Sequence, residues 1–172
     1  TWVALVNAGN GFLKDKNTDS AVVLFRQANE IYQGEPNSYS SMAVMFNSMG
    51  QADSAIVYFR LAVTSAGTDP KTAEARDQSQ YNLSALLSNE GRWPEAVAAW
   101  QQYLAWKPDD VDGKKAYARA LRADGQPDAA ALHWRRYLEL DLGSPWARIA
   151  RSHLDERDGG AGTGVDEGDD RP

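Results

Sequence analysis

Cysteine is absent from the 172 residues, which excludes disulfides, thiol catalysis and thiolate metal sites. No apolar run approaches the roughly 20 residues of a membrane-spanning helix, so no direct membrane insertion is expected. Histidine is scarce: His133 and His153 fall on different expected helices without a ligand cluster, so no metal or other cofactor is expected. An excess of positive charge is missing too. At a formal net charge of −6, the basic pairs Lys114-Lys115 and Arg135-Arg136 do not make a nucleic-acid footprint, and no nucleic-acid partner is expected. The start carries neither a secretion signal nor an initiator methionine, so Thr1 is expected to be a processing site or the boundary of an expressed fragment. The compartment stays open between bacterial cytoplasm and periplasm. Hydrophobic residues make up 42% of the chain, enough for a core in a protein of one domain's length.

What is present is a period. Between Asp77 and Asp110, Tyr81, Leu83, Leu86 and Leu87 fall at helix-face spacing and stop at Asn89-Glu90-Gly91, where glycine suits a left-handed cap. Pro94 tolerates a first-turn position, and Ala96, Trp100, Tyr103 and Leu104 form a second apolar stripe that Pro108 ends. Adding 34 to Gly91, Ala96, Trp100 and Tyr103 gives Gly125, Ala130, Trp134 and Tyr137. Upstream, Gly50, Ala55, Phe59 and Ala62 hold the same mutual offsets, as do Ala21, Phe25 and Ala28 one full period further back. Ala21, Ala55, Ala96 and Ala130 therefore share one structural place, where a small side chain lets paired helices approach. Phe25, Phe59, Trp100 and Trp134 are large aromatics one turn later.

Two short antiparallel helices per period, with Leu83, Gly91, Trp93, Ala96, Trp100 and Pro108 at these spacings, resemble the tetratricopeptide repeat (TPR) family. The resemblance covers about residues 2–142. It implies an all-α fold, an α-solenoid of antiparallel helix pairs wound as a right-handed superhelix. The expected repeats span residues 2–35, 36–69, 70–110 and 111–144, and a capping helix brings the solenoid to residue 154.

Local signals refine that layout. Trp2–Lys14 should be the first helix, Asp15-Lys16-Asn17 the turn, and Thr18 or Asp19 the cap of a second helix to about Tyr32. This first repeat departs from the family pattern, with Lys16 at the turn glycine and Gln33 at the closing proline. Helices over Asn37–Met49 and Ala52–Ser65 should make the second repeat. The interval from Gly50 to Gly91 exceeds the period by seven positions. The extra residues are assigned to a longer helix from Pro70 to Asn89, with a polar, solvated extension over Lys71–Asp77 after an Asp69 cap; a docking spur is the sharper alternative. Ser144-Pro145 should start the capping helix, burying Trp146, Ile149, Ala150 and Leu154. Residues 155–172 hold seven acids and two bases, a glycine-rich acidic tail expected to be disordered alone and suited to a basic partner surface, with the Lys115–Arg119–Arg122 end of the chain's own groove as the less favoured anchor.

No catalytic set emerges, and no enzyme activity is expected. Asp109–Gly113 resembles a calcium loop faintly, but Pro108 and Arg119 stand at ligand places, so it reads better as a turn with an N-cap. The glycines of 159–164 lack the strand and lysine of a phosphate loop.

The resemblance instead implies a binding surface, because in TPR proteins the first helix of each pair lines the concave groove. Matching offsets put Val3, Val6, Asn10 and Leu13 there from the first repeat, and Asn37, Ser40, Val44 and Asn47 from the second. The third supplies Gln78, Tyr81, Asn82, Ala85 and Asn89, the fourth Asp112, Lys115, Arg119 and Arg122. Amides can pair with an extended peptide backbone, and the basic residues with acidic groups of a protein or peptide partner. The family's clamp for a terminal carboxylate is absent, since its lysine and asparagine places hold Val6 and Asn10, then Ser41, Gln78 and Asn82. The expected function is a non-enzymatic interaction scaffold, an accessory or assembly subunit of a multiprotein complex. The alternatives are a free-standing peptide receptor and a regulatory domain of a larger enzyme.

Overall fold

The computed structural model describes residues 1–15, 17–31 and 35–160, and the regular structure among them is helical throughout. Helix α1 (Trp2–Lys14) pairs with α2 (Thr18–Ile31), α3 (Pro36–Ser48) with α4 (Ala52–Ala66) and α5 (Ala73–Asn89) with α6 (Trp93–Trp106). Helix α7 (Val111–Ala123) pairs with α8 (Pro127–Leu140), and α9 (Pro145–Gly160) packs on α8. The fold is all-α, an α-solenoid of antiparallel helix pairs. The pairs form two compact units: residues 1–108 hold the first three, and the chain from Asp109 holds the fourth with α9.

The turns inside the second, third and fourth pairs are made by glycine because the backbone there must turn left-handed. Gly50, Gly91 and Gly125 have φ of 72°, 69° and 76°. Such a conformation brings the next amide back over the helix end: Gln51, Arg92 and Gln126 donate to the carbonyls of Phe46, Leu87 and Leu121 at 2.9–3.0 Å. The first pair closes with the same bond, Asn17 to Phe12 at 2.8 Å. Its cap is Asn17, whose side chain accepts from the Ser20 amide, one residue before the Thr18 or Asp19 expected. Lys16 lies outside the described residues.

The repeating columns form the core. Ala21, Ala55, Ala96 and Ala130 are all 2% exposed or less, and so are Phe25, Phe59, Trp100 and Trp134. A third column, not read from the sequence, recurs at one offset on the first helix of each pair: Gly9, Ala43, Ser84 and Ala118, all buried, with Gly9 against Phe25. A Cβ placed on Gly9 would lie 2.8 Å from the Phe25 ring, so the closeness of α1 and α2 requires glycine there.

The entry to α5 differs from the expected single long helix. Pro70–Thr72 is a 3₁₀ turn that Asp69 caps by accepting from the Lys71 amide. Helix α5 starts at Ala73, about one turn further ahead of Gly91 than α3 and α7 start ahead of Gly50 and Gly125. The 3₁₀ turn takes up the rest of the insertion. Nor is the extension fully solvated. Thr72 donates to the Ala66 carbonyl, and the Arg76 guanidinium lies 4.1 Å over the Trp106 ring while pairing with Asp77. Trp106, at the end of α6, offers an aromatic face that holds the arginine down, and the Arg76 and Asp77 side chains are only 12% and 17% exposed.

The α9 register differs as well. Ser144 caps it by accepting from the Trp146 and Ala147 amides, but the helix continues past Leu154 to Gly160. Among its described side chains Ala147 and Ala150 are buried, while Ile149 is 39% exposed. Two alanines permit close approach to α8. Trp146 stays half-buried, held by Lys115 and Arg119 of α7.

Candidate partner-binding face

In the first unit, helices α1, α3 and α5 touch in sequence, so their outward residues share one face. The amphipathic periodicity that buries Met42, Ala43 and Met45 of α3 turns Val44 and Asn47 outward. In α5 the burial of Leu83, Leu86 and Leu87 leaves Asn82, Ala85 and Asn89 on the same side. Between the two helices lies an open cleft of about 200 Å³, lined by Val44, Asn47, Asn82, Ala85 and Asn89 with Phe59 and Leu86 at its floor. It is a mixed cleft, with an apolar floor and three primary amides at its rim. Each amide offers two donors and an acceptor, the complement of a peptide backbone.

Other residues expected on this face are committed elsewhere. The Tyr81 ring meets Trp100 and Tyr103 edge-on at centroid distances of 5.1 and 5.4 Å, so it belongs to the packing between α5 and α6. Ser40 is hydrogen-bonded to Ser79 and ties α3 to α5. Gln78 donates to Asn82 one turn along at 3.2 Å, which orients the asparagine. Val3 and Asn37 are exposed and Asn10 is half-buried; the side chains of Val6 and Leu13 lie outside those described.

Polar residues that sequence reasoning passed over hold this face in place. Gln80 is buried in α5, and its amide donates to the Ala99 carbonyl of α6 at 2.9 Å. The Ser79, Ser84 and Ser88 hydroxyls donate to carbonyls one turn back, which satisfies their protons within α5. Ser88 also accepts from the Trp100 indole at 3.0 Å. The only sequence signal was a run of small polar residues at helix spacing.

In the second unit, Lys115, Arg119 and Arg122 follow one another along one side of α7. The Lys115 ammonium pairs with Asp112 and lies 4.8 Å from the Trp146 ring centroid, with the Arg119 guanidinium at 5.4 Å. Arg122 reaches His153 at 3.4 Å. These contacts also order the helices, since the start of α9 lies against the middle of α7 and His153 against its end. Elsewhere in this unit, His133 sits edge-on to Tyr117 at 4.6 Å, and burial pulls its pKa below the ordinary value. Asp141 is held well below the usual carboxylate range by the Ser144 hydroxyl, then by the Tyr137 hydroxyl and the Ser144 and Gly143 amides. It therefore fixes the turn from α8 into α9. Among the described residues no group of three or more acidic, histidine or cysteine side chains could hold a metal ion, and no helix is long and apolar enough to cross a membrane.

No family model matches the chain. Over 110 residues, 64% of its length, it is 31% identical to small glutamine-rich tetratricopeptide repeat-containing protein 2 of Mycosarcoma maydis, of which it spans 29%. Among solved structures it is similar to MamA from residue 41 onward of Desulfovibrio magneticus RS-1, with a TM-score of 0.75, 13% identity, and 91% of this chain and 85% of that one covered. It is similar also to YrrB, a TPR protein with an unusual peptide-binding site, at a TM-score of 0.71 and 16% identity over 91% and 79% of the two chains. At these identities the structural likeness establishes the fold alone.

Proposed function

The chain resembles the TPR family and has its helix-pair solenoid fold, and on that premise we propose that it is a non-enzymatic protein-interaction scaffold, an accessory or assembly subunit of a multiprotein complex. The observation that carries the reading is the α3–α5 cleft, where Val44, Asn47, Asn82 and Asn89 line one pocket. An extended segment of a partner would seat an aliphatic side chain on Phe59 and Leu86 and give its backbone groups to the three asparagines. The Lys115–Arg119–Arg122 face of the second unit suits acidic groups of the same or another partner. A free-standing peptide receptor would use the same cleft, and an assembly subunit differs from it in holding its partner stoichiometrically through purification.

The test is affinity purification from the source organism with the native chain and with Asn47→Ala/Asn82→Ala/Asn89→Ala. A partner recovered stoichiometrically with the native chain should be lost or weakened about tenfold or more with the triple variant, because each hydrogen bond is worth about 0.5–1.5 kcal/mol. The variant should melt as the native chain does. Undiminished recovery would remove the cleft from the interface.

A further inference from the structure

The parts of α3 and α5 that line the cleft are without charge, and we propose that the cleft selects an extended partner segment that is itself uncharged, with an aliphatic residue at its centre. This deepens the cleft reading above, on which it rests, by stating the chemistry of the occupant.

Charged residues make up 24% of the chain, and solvated helix faces are where they ordinarily stand. On the first helices of the first unit they are nearly missing. Helix α3 has none, α5 has none after Asp77, and α1 has only Lys14, its last residue. The exposed positions Asn7, Asn37, Val44, Asn47, Gln78 and Asn89 are therefore all neutral. The second helices of the same unit differ, with Asp19, Arg26, Glu30, Asp53 and Arg60 exposed on α2 and α4. Helix α7, the first of the fourth pair, differs too, with Asp112, Lys114, Lys115, Arg119 and Arg122. Neutrality thus belongs to this one face and not to the repeat.

Charges near the ends of the face are engaged with one another. Arg92 pairs with Asp53 and Glu95, Arg60 with Glu95, and Arg76 with Asp77. Glu90 follows Asn89 in the turn, where its side chain is exposed. An ionised partner side chain entering the cleft would leave water for Phe59 and Leu86 and find amide dipoles without a counter-charge. A neutral backbone group or hydroxyl meets no such loss, because each asparagine both donates and accepts. Gln78 donates to Asn82 and so holds that amide in place. The cleft discriminates by rejecting charge of either sign. Asn82 and Asn89 lie about 10 Å apart along α5, the length of about three extended residues. The exclusion therefore covers the seated residue and its neighbour on each side.

The probe is a random library of acetylated, amidated heptapeptides, selected on the native chain and on Asn47→Ala/Asn82→Ala/Asn89→Ala. Peptides held elsewhere on the surface are kept by both and cancel. Those kept by the native chain alone should carry a central Leu, Ile or Val, with Asp, Glu, Lys and Arg depleted at least about tenfold at the three central positions. Their affinity should change less than about twofold between low and high salt. Val44 is 46% exposed, so a charge there leaves the fold intact. Val44→Lys should admit Asp and Glu to the selected peptides, and Val44→Asp should admit Lys and Arg. Glu90→Gln should leave the selection as it was. Charged peptides kept by the native chain but not by the triple variant would overturn the proposal and leave the cleft reading standing. So would a steep salt dependence, a selection altered by Glu90→Gln, or position-44 variants that both select as the native chain does. If no peptide distinguishes the native chain from the triple variant, both readings fall.

Discussion

Trp100 and Trp134 occupy one structural place, yet their indole nitrogens fare differently. The Trp100 N–H donates to Ser88, whereas the buried Trp134 N–H has no acceptor. The register points to one position on the preceding helix: one period after Ser88 stands Arg122, which carries only donors. Arg122→Ser should therefore give Trp134 its acceptor and raise stability by up to about 1 kcal/mol. A clear loss in urea melts would show that position 122 does not face the indole. Trp100→Ala removes an aromatic 1% exposed and should cost about 3–5 kcal/mol. A cost below about 1 kcal/mol would contradict its place in the core. The aromatic and alanine columns were legible because large and tiny side chains recurring at a single period have no other common explanation. The third column was not, because glycine, alanine and serine at Gly9, Ala43, Ser84 and Ala118 share only their size. Tyr81 was read both into the apolar stripe of its helix and onto the groove, because its spacing allows two faces; its edge contacts with Trp100 and Tyr103 belong to the first.

At the scale of elements, the turn between α8 and α9 and the face between α7 and α8 make stability depend on pH. Burial lowers the His133 pKa, so the unfolded chain takes up that proton first. Its contribution is present above the ordinary histidine value near 6.5 and is lost as pH falls from there toward the folded value. The lowered Asp141 pKa acts in a lower window. Its stabilisation is present above about 4 and is lost as pH falls below that. Melting temperature should thus decline in two steps on acidification, and His133→Gln should remove the upper step while leaving the lower. A single step beginning near 4 in the native chain would rule out the histidine. Helix boundaries were legible at prolines and turn glycines, whose backbone preferences are local. The entry to α5 was not, because an arginine lying on Trp106, a full helix further along the chain, is a tertiary event. The α9 register failed likewise: hydropathy favours burying Ile149, but two alanines let helices approach more closely than an isoleucine would.

At the scale of the molecule, repetition disclosed the architecture and concealed the division after Pro108. A period states that units are alike, not how firmly each joins the next. Of the candidate face, the part that came together was the part set by periodicity alone, Val44, Asn47, Asn82 and Asn89. The residues drawn away, Ser40 and Tyr81, were claimed by partners on neighbouring helices. Among the described side chains the division also gives each unit one tryptophan sealed in its core, Trp100 in one and Trp134 in the other. An indole proton so enclosed trades with deuterated water only when the packing around it opens. The two exchange rates are therefore separate clocks for the opening of the two halves. Equal rates would mean the halves open together, and unequal rates would name the one that yields first.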